Sequence, residues 1–346
     1  MRAGLALVAA LAGGCLLPRY LEQAGEGQLE LLANARPIDQ VLADPRVDER
    51  TRILLSALPG LKAFGARYGL DTARNYRTYT VLESDAAVWF VGAAPRLSFE
   101  SRKFCFPIAG CFTGVGWFHE DAAVAHRAQL ERDGWDAMAR PAIAYSTGGW
   151  FPDPVLSSML SPEEDAWAEL ANVILHESVH ATVLVPDEPY FNEGIASYLG
   201  DVLADRWLIE NFGVESPERA GYQADQAERQ TRRERLFAAY QDLDRLYRSD
   251  LPDAAKLAKK KAIIDQAVLD LRLHDRPNNA TLVELRVYQA SRKGFAATYE
   301  ACGGAAPMIA AADRIRRSDF REDLQDDLAP VMARIVALCH GARKKI

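Results

Sequence analysis

The sequence contains no apolar stretch near the roughly 18 residues that a membrane-spanning helix requires. It also has no internal repeat and no low-complexity tract. Hydrophobic residues make up 49% and charged residues 26% of its 346 positions, which is the composition of an ordinary soluble domain. Multi-span membrane proteins, collagen-like chains and wholly disordered chains are therefore excluded. The length allows one large domain or two modest ones.

An excess of basic residues is also missing. Lys and Arg number 41 against 48 Asp and Glu, which gives a formal net charge of −7. A protein that binds nucleic acid is expected to carry a basic face. We therefore predict no nucleic-acid partner for this chain.

Cysteine is scarce, with 5 residues, and no two of them form a Cys-x-x-Cys pair. A zinc site built from cysteines is therefore not expected. Four cysteines in an exported protein are compatible with disulfides, and local pairing would join Cys105 to Cys111 and Cys302 to Cys339. The sequence does not fix this connectivity, and free buried thiols remain the alternative.

The N-terminus is similar to a bacterial export signal. Residues 1–15 (MRAGLALVAALAGGC) begin with a positive charge, continue with the apolar run LALVAAL and end with small residues before Cys15. A cysteine at this place resembles a lipobox, in which the thiol is lipidated. We predict a lipid anchor on Cys15 and a periplasm-facing protein, with the outer membrane favoured because Leu16 is not Asp. The alternatives are a plain cleaved signal or a buried helix that contains Cys15.

Hydrophobic periodicity divides the rest of the chain into three segments. Residues 16–77 carry apolar residues at helical spacing, whereas residues 78–213 contain short β-branched and aromatic runs bounded by Gly and Pro. Residues 214–346 are helical again, and their charge-rich part 217–275 is predicted as a solvated helical hairpin broken at Pro252. The predicted fold class is α+β, with a mixed middle segment between helical flanks.

Within the middle segment, strands are predicted in the runs TYTVLE, AVWFVG, FCFPIAG and FTGVGWF and near residues 142–145. A helix is predicted at 121–132. Residues 161–164 (SPEE) indicate another helix start, because they supply an N-cap Ser, a Pro for the first turn and a capping-box Glu. This helix should end near Leu184, and the next should begin near Pro189.

The helix after SPEE carries the sequence His176-Glu177-Ser178-Val179-His180. Residues four apart share one face of a helix, so both imidazoles can bind one metal ion. Glu177 lies beside the first imidazole, where it can take a proton from a zinc-bound water whose pKa is lowered to about 7. A chance match is on the order of 1 in 100 in a chain so poor in His. The alternative is two ordinary histidines on an amphipathic helix.

A third ligand is available at the start of the following helix. Its sequence FNEG occupies residues 191–194, and Glu193 is 13 residues after His180. Two His, one Glu and a water form a common catalytic zinc set. We therefore predict Zn²⁺ on His176, His180 and Glu193. The alternative for Glu193 is an exposed carboxylate favoured by the helix dipole.

Similarity to one known protein family extends over most of the chain. It is carried by Tyr20-Leu21, Gln23-Ala24, Gly27-Gln28, Leu31-Leu32, Arg36-Pro37-Ile38, VLADP at 41–45, Cys105-Phe106-Pro107, Ala109-Gly110-Cys111, AYST at 144–147, Gly149-Trp150-Phe151, the HExxH motif, Phe191-Asn192-Glu193, Asn278-Asn279-Ala280 and Tyr288. With these residues the chain resembles the proteobacterial family of predicted aminopeptidases, membrane lipoproteins of the gluzincin type.

The resemblance implies a zincin-like (gluzincin) core in which a small sheet packs on the HExxH helix. It also implies a zinc peptidase activity with Glu177 as the catalytic carboxylate, the three zinc ligands named above and a lipid on Cys15. The chain departs from the family pattern after Cys111, where Gly114-Val115-Gly116 stands in place of a Tyr-Arg pair before Gly. Residues 217–275 also match less well, so substrate specificity stays open.

We predict a zinc-dependent, aminopeptidase-like hydrolase of peptide bonds with a peptide substrate and a membrane contact through its lipid. The choice between exopeptidase and endopeptidase stays open, because a GxMEN-type signature for the substrate amine is absent and the sequence does not show where Asp187 and Glu188 point. Two alternatives are a non-catalytic lipoprotein scaffold and a zinc hydrolase of peptidoglycan peptides. The oligomeric state is not predicted.

Supporting roles are predicted for several other residues. A loop before the zinc helix is expected to bind the substrate backbone, or only to reverse the chain; its residues are Ser146, Thr147, Gly148 and Gly149. Tyr288 is expected to donate a hydrogen bond to the developing oxyanion, or to be a core tyrosine. Asp201 and Asn192 are candidates for orienting the ligand histidines.

Overall fold

The computed structural model describes residues 16–106, 110–144, 152–161 and 166–343. Within these ranges the chain is a mixture of helix and strand with helix predominating, as the predicted α+β class requires. Among the described helices, none is long and apolar enough to cross a membrane.

The helices are α1 (Leu16–Ala33), α2 (Ile38–Ala43), α3 (Glu49–Arg67), α4 (Glu120–Arg132), α5 (Ala166–Thr182), α6 (Pro189–Phe212), α7 (Pro217–Tyr247), α8 (Asp253–Leu271), α9 (Asn279–Cys302), α10 (Ala305–Ala312) and α11 (Ala329–Arg343). The strands are β1 (Arg36–Pro37), β2 (Thr78–Thr80), β3 (Val88–Pro95), β4 (Phe104–Phe106), β5 (Gly110–Phe112), β6 (Gly114–Trp117), β7 (Trp135–Ala142) and β8 (Val155–Leu156).

The sheet that matters for the site places β3 between β6 and β7, which both run antiparallel to it. Side chains alternate between the two faces of such a sheet. On one face Val91, Val115 and Ala137 are buried in a cluster with residues of α4. The opposite face carries Phe90 and Arg140, which are partners in the strand register. This face forms one wall of a cleft.

Two smaller strand groups and two disulfides complete the frame. Strand β2 pairs antiparallel with β1 and parallel with β8. Strands β4 and β5 form a hairpin that the Cys105–Cys111 disulfide closes. The second disulfide, Cys302–Cys339, joins the end of α9 to α11. Both bonds therefore follow the local pairing among the four cysteines.

Helices α5 and α6 lie at the centre of the main hydrophobic core. Ile174, Val179 and Leu199 are each 0% exposed. Gly200 lets the two helices approach closely, because a Cβ at this position would lie 3.2 Å from the Cβ of His176. The same core includes residues of α1, α3, α9 and α11. Helices from both ends of the chain thus hold the α5–α6 pair, while the division into three segments stays a prediction.

Helices α7 and α8 form the predicted hairpin, and Pro252 is the N-cap residue of α8. Leu243 of α7 packs with Ile264 of α8 in a separate hydrophobic cluster that also includes residues of α9. Lys260 is a mostly buried residue of α8 and pairs with Asp136 on β7. The hairpin is therefore attached to the rest of the molecule by its inner side, and its outer side is solvated.

The structure confirms most of the predicted elements and moves one. The helix at 121–132 corresponds to α4, and the helix from Pro189 corresponds to α6. The strand predicted near 142–145 instead spans Trp135–Ala142 as β7, because its charged residues and Pro141 hide the apolar alternation. The helix-start signal SPEE occupies residues 161–164, and its last three residues lie outside the described residues.

Candidate metal centre and its cleft

The motif on α5 presents His176 and His180 on one face of the helix. The other face carries Ile174, Leu175 and Val179, all of which are fully buried. Burial of this apolar face fixes the rotation of the helix about its axis. The two imidazoles must therefore point away from the core, and they point into the cleft.

The turn between α5 and α6 brings Glu193 to the two histidines. The Asn192 side chain holds this turn, because its Oδ1 accepts from the Val185 N–H (2.9 Å) and its Nδ2 donates to the Val185 carbonyl (2.8 Å). Asn192 thus binds backbone rather than acting through the imidazoles. With the turn fixed, the Glu193 carboxylate lies 3.7 Å from His176 Nε2 and 3.4 Å from His180 Nε2.

The three groups have the spacing of a metal site. The Nε2 atoms of His176 and His180 are 3.1 Å apart, and all three ligand atoms lie within 4.8 Å of one another. Ligand atoms in a tetrahedral zinc site with bonds of about 2.0–2.1 Å stand roughly 3.3 Å apart. Two imidazole nitrogens and one carboxylate are also ligands that zinc takes in catalytic sites. The donor set therefore fits Zn²⁺.

The charges in this group are strongly coupled. Burial opposes protonation of His180, but the Glu193 carboxylate outweighs it and raises the pKa of His180 to about 9. Burial likewise favours a neutral Glu193, yet His180 and His176 hold the pKa of Glu193 well below its usual range. A cation placed among the three groups would have the same effect on Glu193.

Glu177 faces the same cavity but does not belong to the ligand set. Its Oε2 atom is buried and has no hydrogen-bond partner among the described residues. Burial raises the pKa of Glu177, against the opposing effect of His176 and His180. A buried carboxylate oxygen without a partner requires one, and a water molecule beside the metal site would supply it.

The cleft has a volume of about 1010 Å³. One side is formed by the motif on α5, and the other by the sheet face that carries Phe90, with α1 at its edge. Among the described residues, the Tyr and Phe side chains that line it are Tyr20, Phe90, Phe106, Phe112 and Phe118. A cleft of this size with apolar walls and a few converging polar groups is the usual form of a small-molecule or peptide site.

Asp201 of α6 ties together the helices around the metal site. Its carboxylate accepts hydrogen bonds from Asn172 on α5 (2.9 Å), from Gln226 on α7 (3.2 Å) and from Arg292 on α9 (2.5 Å). Asn172 lies one turn before His176 on the same helix. Asp201 therefore holds α5 in place through Asn172. The sequence had suggested that Asp201 orients a ligand histidine directly.

Two acidic residues of the α5–α6 turn point away from the metal site. Asp187 accepts a hydrogen bond from the Cys111 N–H at 3.2 Å. Glu188 is fully buried, accepts from the Gln325 N–H at 3.1 Å and lies 3.5 Å from Arg317. Burial raises the pKa of Glu188 to about 7. Each therefore has a protein partner of its own.

A family model described as putative aminopeptidase matches residues 19–323 of the chain. The match includes α5, α6 and both walls of the cleft. The chain belongs to the putative aminopeptidase family. Membership supports a peptidase-like function. Searches of curated proteins and of solved structures each found no match.

The glycine at position 114 has a steric reason. A Cβ at Gly114 would lie 2.1 Å from the Phe90 ring, so no side chain fits there while the ring holds its position. Phe90 in turn supports the guanidinium of Arg140, which lies 5.1 Å from the ring centroid. Phe90 of β3 and Arg140 of β7 therefore supply side chains to this part of the wall.

Several predicted residues cannot be located in the site. Cys15 and the loop of Ser146, Thr147, Gly148 and Gly149 lie outside the described residues. Tyr288 falls on α9, but its side chain is outside the described part as well. These predictions therefore stay predictions.

The sequence analysis missed an ion pair on the cleft wall. Arg140 of β7 donates to the Glu284 carboxylate of α9, with distances of 3.0 Å from Nε and 3.4 Å from Nη2. Burial raises the pKa of Glu284, with Arg140 opposing this effect. A lone Arg in a strand and a lone Glu in a helix carry no motif, so nothing in the sequence signalled that the two residues meet.

Proposed function

We propose that this protein is a zinc-dependent, aminopeptidase-like hydrolase of peptide bonds. The observation that carries the proposal is the convergence of His176, His180 and Glu193 beside Glu177, whose Oε2 atom has no hydrogen-bond partner in the described part of the chain. The family match supports the same reaction class. The sheet across the cleft from the HExxH helix supports a zincin-like core.

The residues around the cleft have separable tasks in this reaction. Zinc bound by the three ligands would act as a Lewis acid and make a water acidic near neutral pH. Glu177 accepts the proton of the attacking water at its Oε2 atom and later donates this proton to the leaving amine. The aromatic wall around Phe90 keeps bulk water away from the substrate and binds its apolar side chains.

Two further groups complete the proposal. The loop Ser146–Gly149 would bind the substrate backbone in an extended form. Tyr288 would donate a hydrogen bond to the oxyanion that develops at the scissile carbonyl. Residues 1–15 would deliver the chain to the periplasm, and a lipid on Cys15 would hold it at the membrane.

The first experiment measures zinc in the full-length protein purified in detergent. We expect about one zinc per chain in the wild type and little or none in His176→Ala and Glu193→Ala, because each loses one of three ligands. His274→Ala is the matched control, since His274 is exposed on another part of the surface. A folded wild type that binds no zinc even after reconstitution would refute the proposal and favour the scaffold.

The same preparation tests the chemistry and the anchor. Glu177→Gln should keep its zinc and lose roughly 10²–10⁴-fold in the rate of peptide hydrolysis, because it cannot accept a proton. The Cys15→Ala variant should no longer be found in the membrane fraction. Full activity of Glu177→Gln would show that another group is the base.

A further inference from the structure

The Arg140–Glu284 ion pair lies where two cavities meet. A smaller cavity of about 270 Å³ shares part of its wall with the main cleft. The residues common to both are Phe90, Phe112, Gly114, Arg140 and Glu193. The metal ligand Glu193 and the ion pair therefore face the same small space.

The smaller cavity has a volume of about 270 Å³, against about 1010 Å³ for the main cleft. Met138 and Val283 supply apolar surface, and Ser101 and Tyr190 supply hydroxyl groups. Of the described residues in its lining, Glu193 and Glu284 are the acidic ones. A chain of several residues would have to leave through the main cleft.

We propose that Glu284 binds the free α-ammonium group of the substrate and that the side chain of the N-terminal residue occupies the 270 Å³ cavity. This inference rests on the proposed function and specifies it as cleavage of the first peptide bond. The α-amine is separated from the first carbonyl carbon by only two bonds. A group that binds the amine must therefore lie near the metal ligands, and Glu284 lines the same small cavity as the ligand Glu193.

The ion pair leaves Glu284 able to accept more hydrogen bonds. A carboxylate has about four lone-pair sites, and Arg140 uses one on each oxygen. Arg140 also keeps the carboxylate in one orientation, because its guanidinium rests on the Phe90 ring. An ammonium group brings three donors and a positive charge, whereas an internal amide brings a single neutral N–H. The site would thus discriminate chain ends from chain interiors.

The other acidic groups near the turn are less suitable for this task. Glu188 is buried against Arg317 and the Gln325 backbone. Asp187 binds the backbone of the disulfide hairpin. Glu177 is required as the proton acceptor of the proposed reaction.

The test compares two forms of one peptide. The best-cleaved member of a random pentapeptide library is prepared with a free and with an acetylated N-terminus, and hydrolysis by the zinc-loaded full-length protein is followed by mass spectrometry. We expect cleavage after the first residue and a kcat/KM at least tenfold higher for the free form. Glu284→Gln should lower kcat/KM for the free form by about 10–150-fold, mainly through KM, since a hydrogen bond to a charged group contributes about 1.5–3 kcal/mol.

Controls separate recognition from simple loss of structure. Glu131→Gln removes a carboxylate that pairs with Arg127 on α4, away from both cavities. This variant should leave the ratio of kcat/KM between the free and the acetylated peptide unchanged. Glu284→Asp keeps the charge and should restore part of the preference for the free form. Zinc content and melting temperature show whether each variant is folded.

The outcomes distinguish this inference from the proposed function. Equal hydrolysis of the free and acetylated peptides by the wild type would overturn the inference and leave a zinc endopeptidase. An unchanged preference in a folded Glu284→Gln variant would also overturn it, because the ion pair would then be structural. Absence of hydrolysis of any library peptide would refute the proposed function and the inference together.

Discussion

At the residue scale, Glu193 and Glu188 show how the environment shifts the pKa of the same side chain in opposite directions. Glu193 faces two imidazoles, which hold its pKa well below its usual range although burial opposes this. Glu188, five positions earlier, is fully buried and has its pKa raised to about 7. The first is ready to bind a metal cation at neutral pH, whereas the second exchanges its proton near neutrality.

The raised pKa of Glu188 predicts that stability depends on pH. In the unfolded chain this group ionises near its ordinary value of 4.5, so between about pH 4.5 and pH 7 the folded state binds more protons. The stability that the neutral form contributes is therefore present below that window and lost as the pH rises through about 7. Glu188→Gln cannot ionise and should escape this loss.

Thermal melts at pH 5 and pH 8 measure the effect. We expect the melting temperature of Glu188→Gln to rise relative to wild type by at least about 2 °C between the two pH values. Glu120→Gln, which removes an exposed carboxylate on α4, should show no such change. An identical difference at both pH values would mean that Arg317 keeps Glu188 ionised throughout.

At the scale of elements, the site depends on how closely α5 and α6 pack. Glu193 reaches the histidines only if the two helices keep their separation. Gly200 sets this separation, because a Cβ there would lie 3.2 Å from His176 Cβ and 3.3 Å from its Cα. Asn172, bound to Asp201, limits the shift that α5 could make.

Gly200→Ala should therefore weaken the metal site without touching a ligand. We expect zinc affinity to fall by roughly 10-fold or more, the size of other effects that displace ligands indirectly, and the melting temperature to fall as well. Zinc affinity is measured by competition with a chelator of known strength.

Gly221→Ala is the matched control for this prediction. Gly221 lies in α7 with nothing within 4 Å of an added Cβ. Both substitutions gain helix propensity, up to about 1 kcal/mol in folding free energy. Because Gly221→Ala adds no steric contact, it should leave the stability of the fold unchanged or increase it. Unchanged zinc affinity in Gly200→Ala would show that α5 can yield by a few tenths of an ångström.

At the scale of the whole molecule, the two disulfides serve different purposes. The Cys302–Cys339 bond closes a segment with a separation of 37 residues and lies in the main core. The Cys105–Cys111 bond closes a separation of only 6 residues. Its hairpin carries Phe106 and Phe112, which line the cleft.

Removing each disulfide by paired Cys→Ser substitution should separate stability from activity. The chain-entropy estimate is about 4 kcal/mol for the longer loop and about 2 kcal/mol for the shorter one. We expect the larger loss of melting temperature for Cys302→Ser/Cys339→Ser and the larger rise in KM for Cys105→Ser/Cys111→Ser. Thermal melts and peptide kinetics on both variants measure these effects, and the reverse order would contradict the assignment.

The sequence by itself determined the local features of this protein. Sequence patterns and the positions of prolines predicted α4, α6 and the α7–α8 hairpin, and the family resemblance agreed with the match over residues 19–323. The HExxH motif predicted two adjacent imidazoles, because residues four apart on a helix must lie on one face. The nearness of Glu193 to the histidines could also be inferred, since only a short turn separates the two helices.

Only the tertiary structure decided what stands opposite the metal ligands. Arg140 and Glu284 are 144 positions apart, and Asp201 and Arg292 are 91 apart. Local periodicity in the sequence does not predict such contacts, because they arise when the sheet and α9 pack against the central helices. The identity of the cleft wall, and with it the proposed selection of free N-termini, therefore follows from long-range packing rather than from any motif.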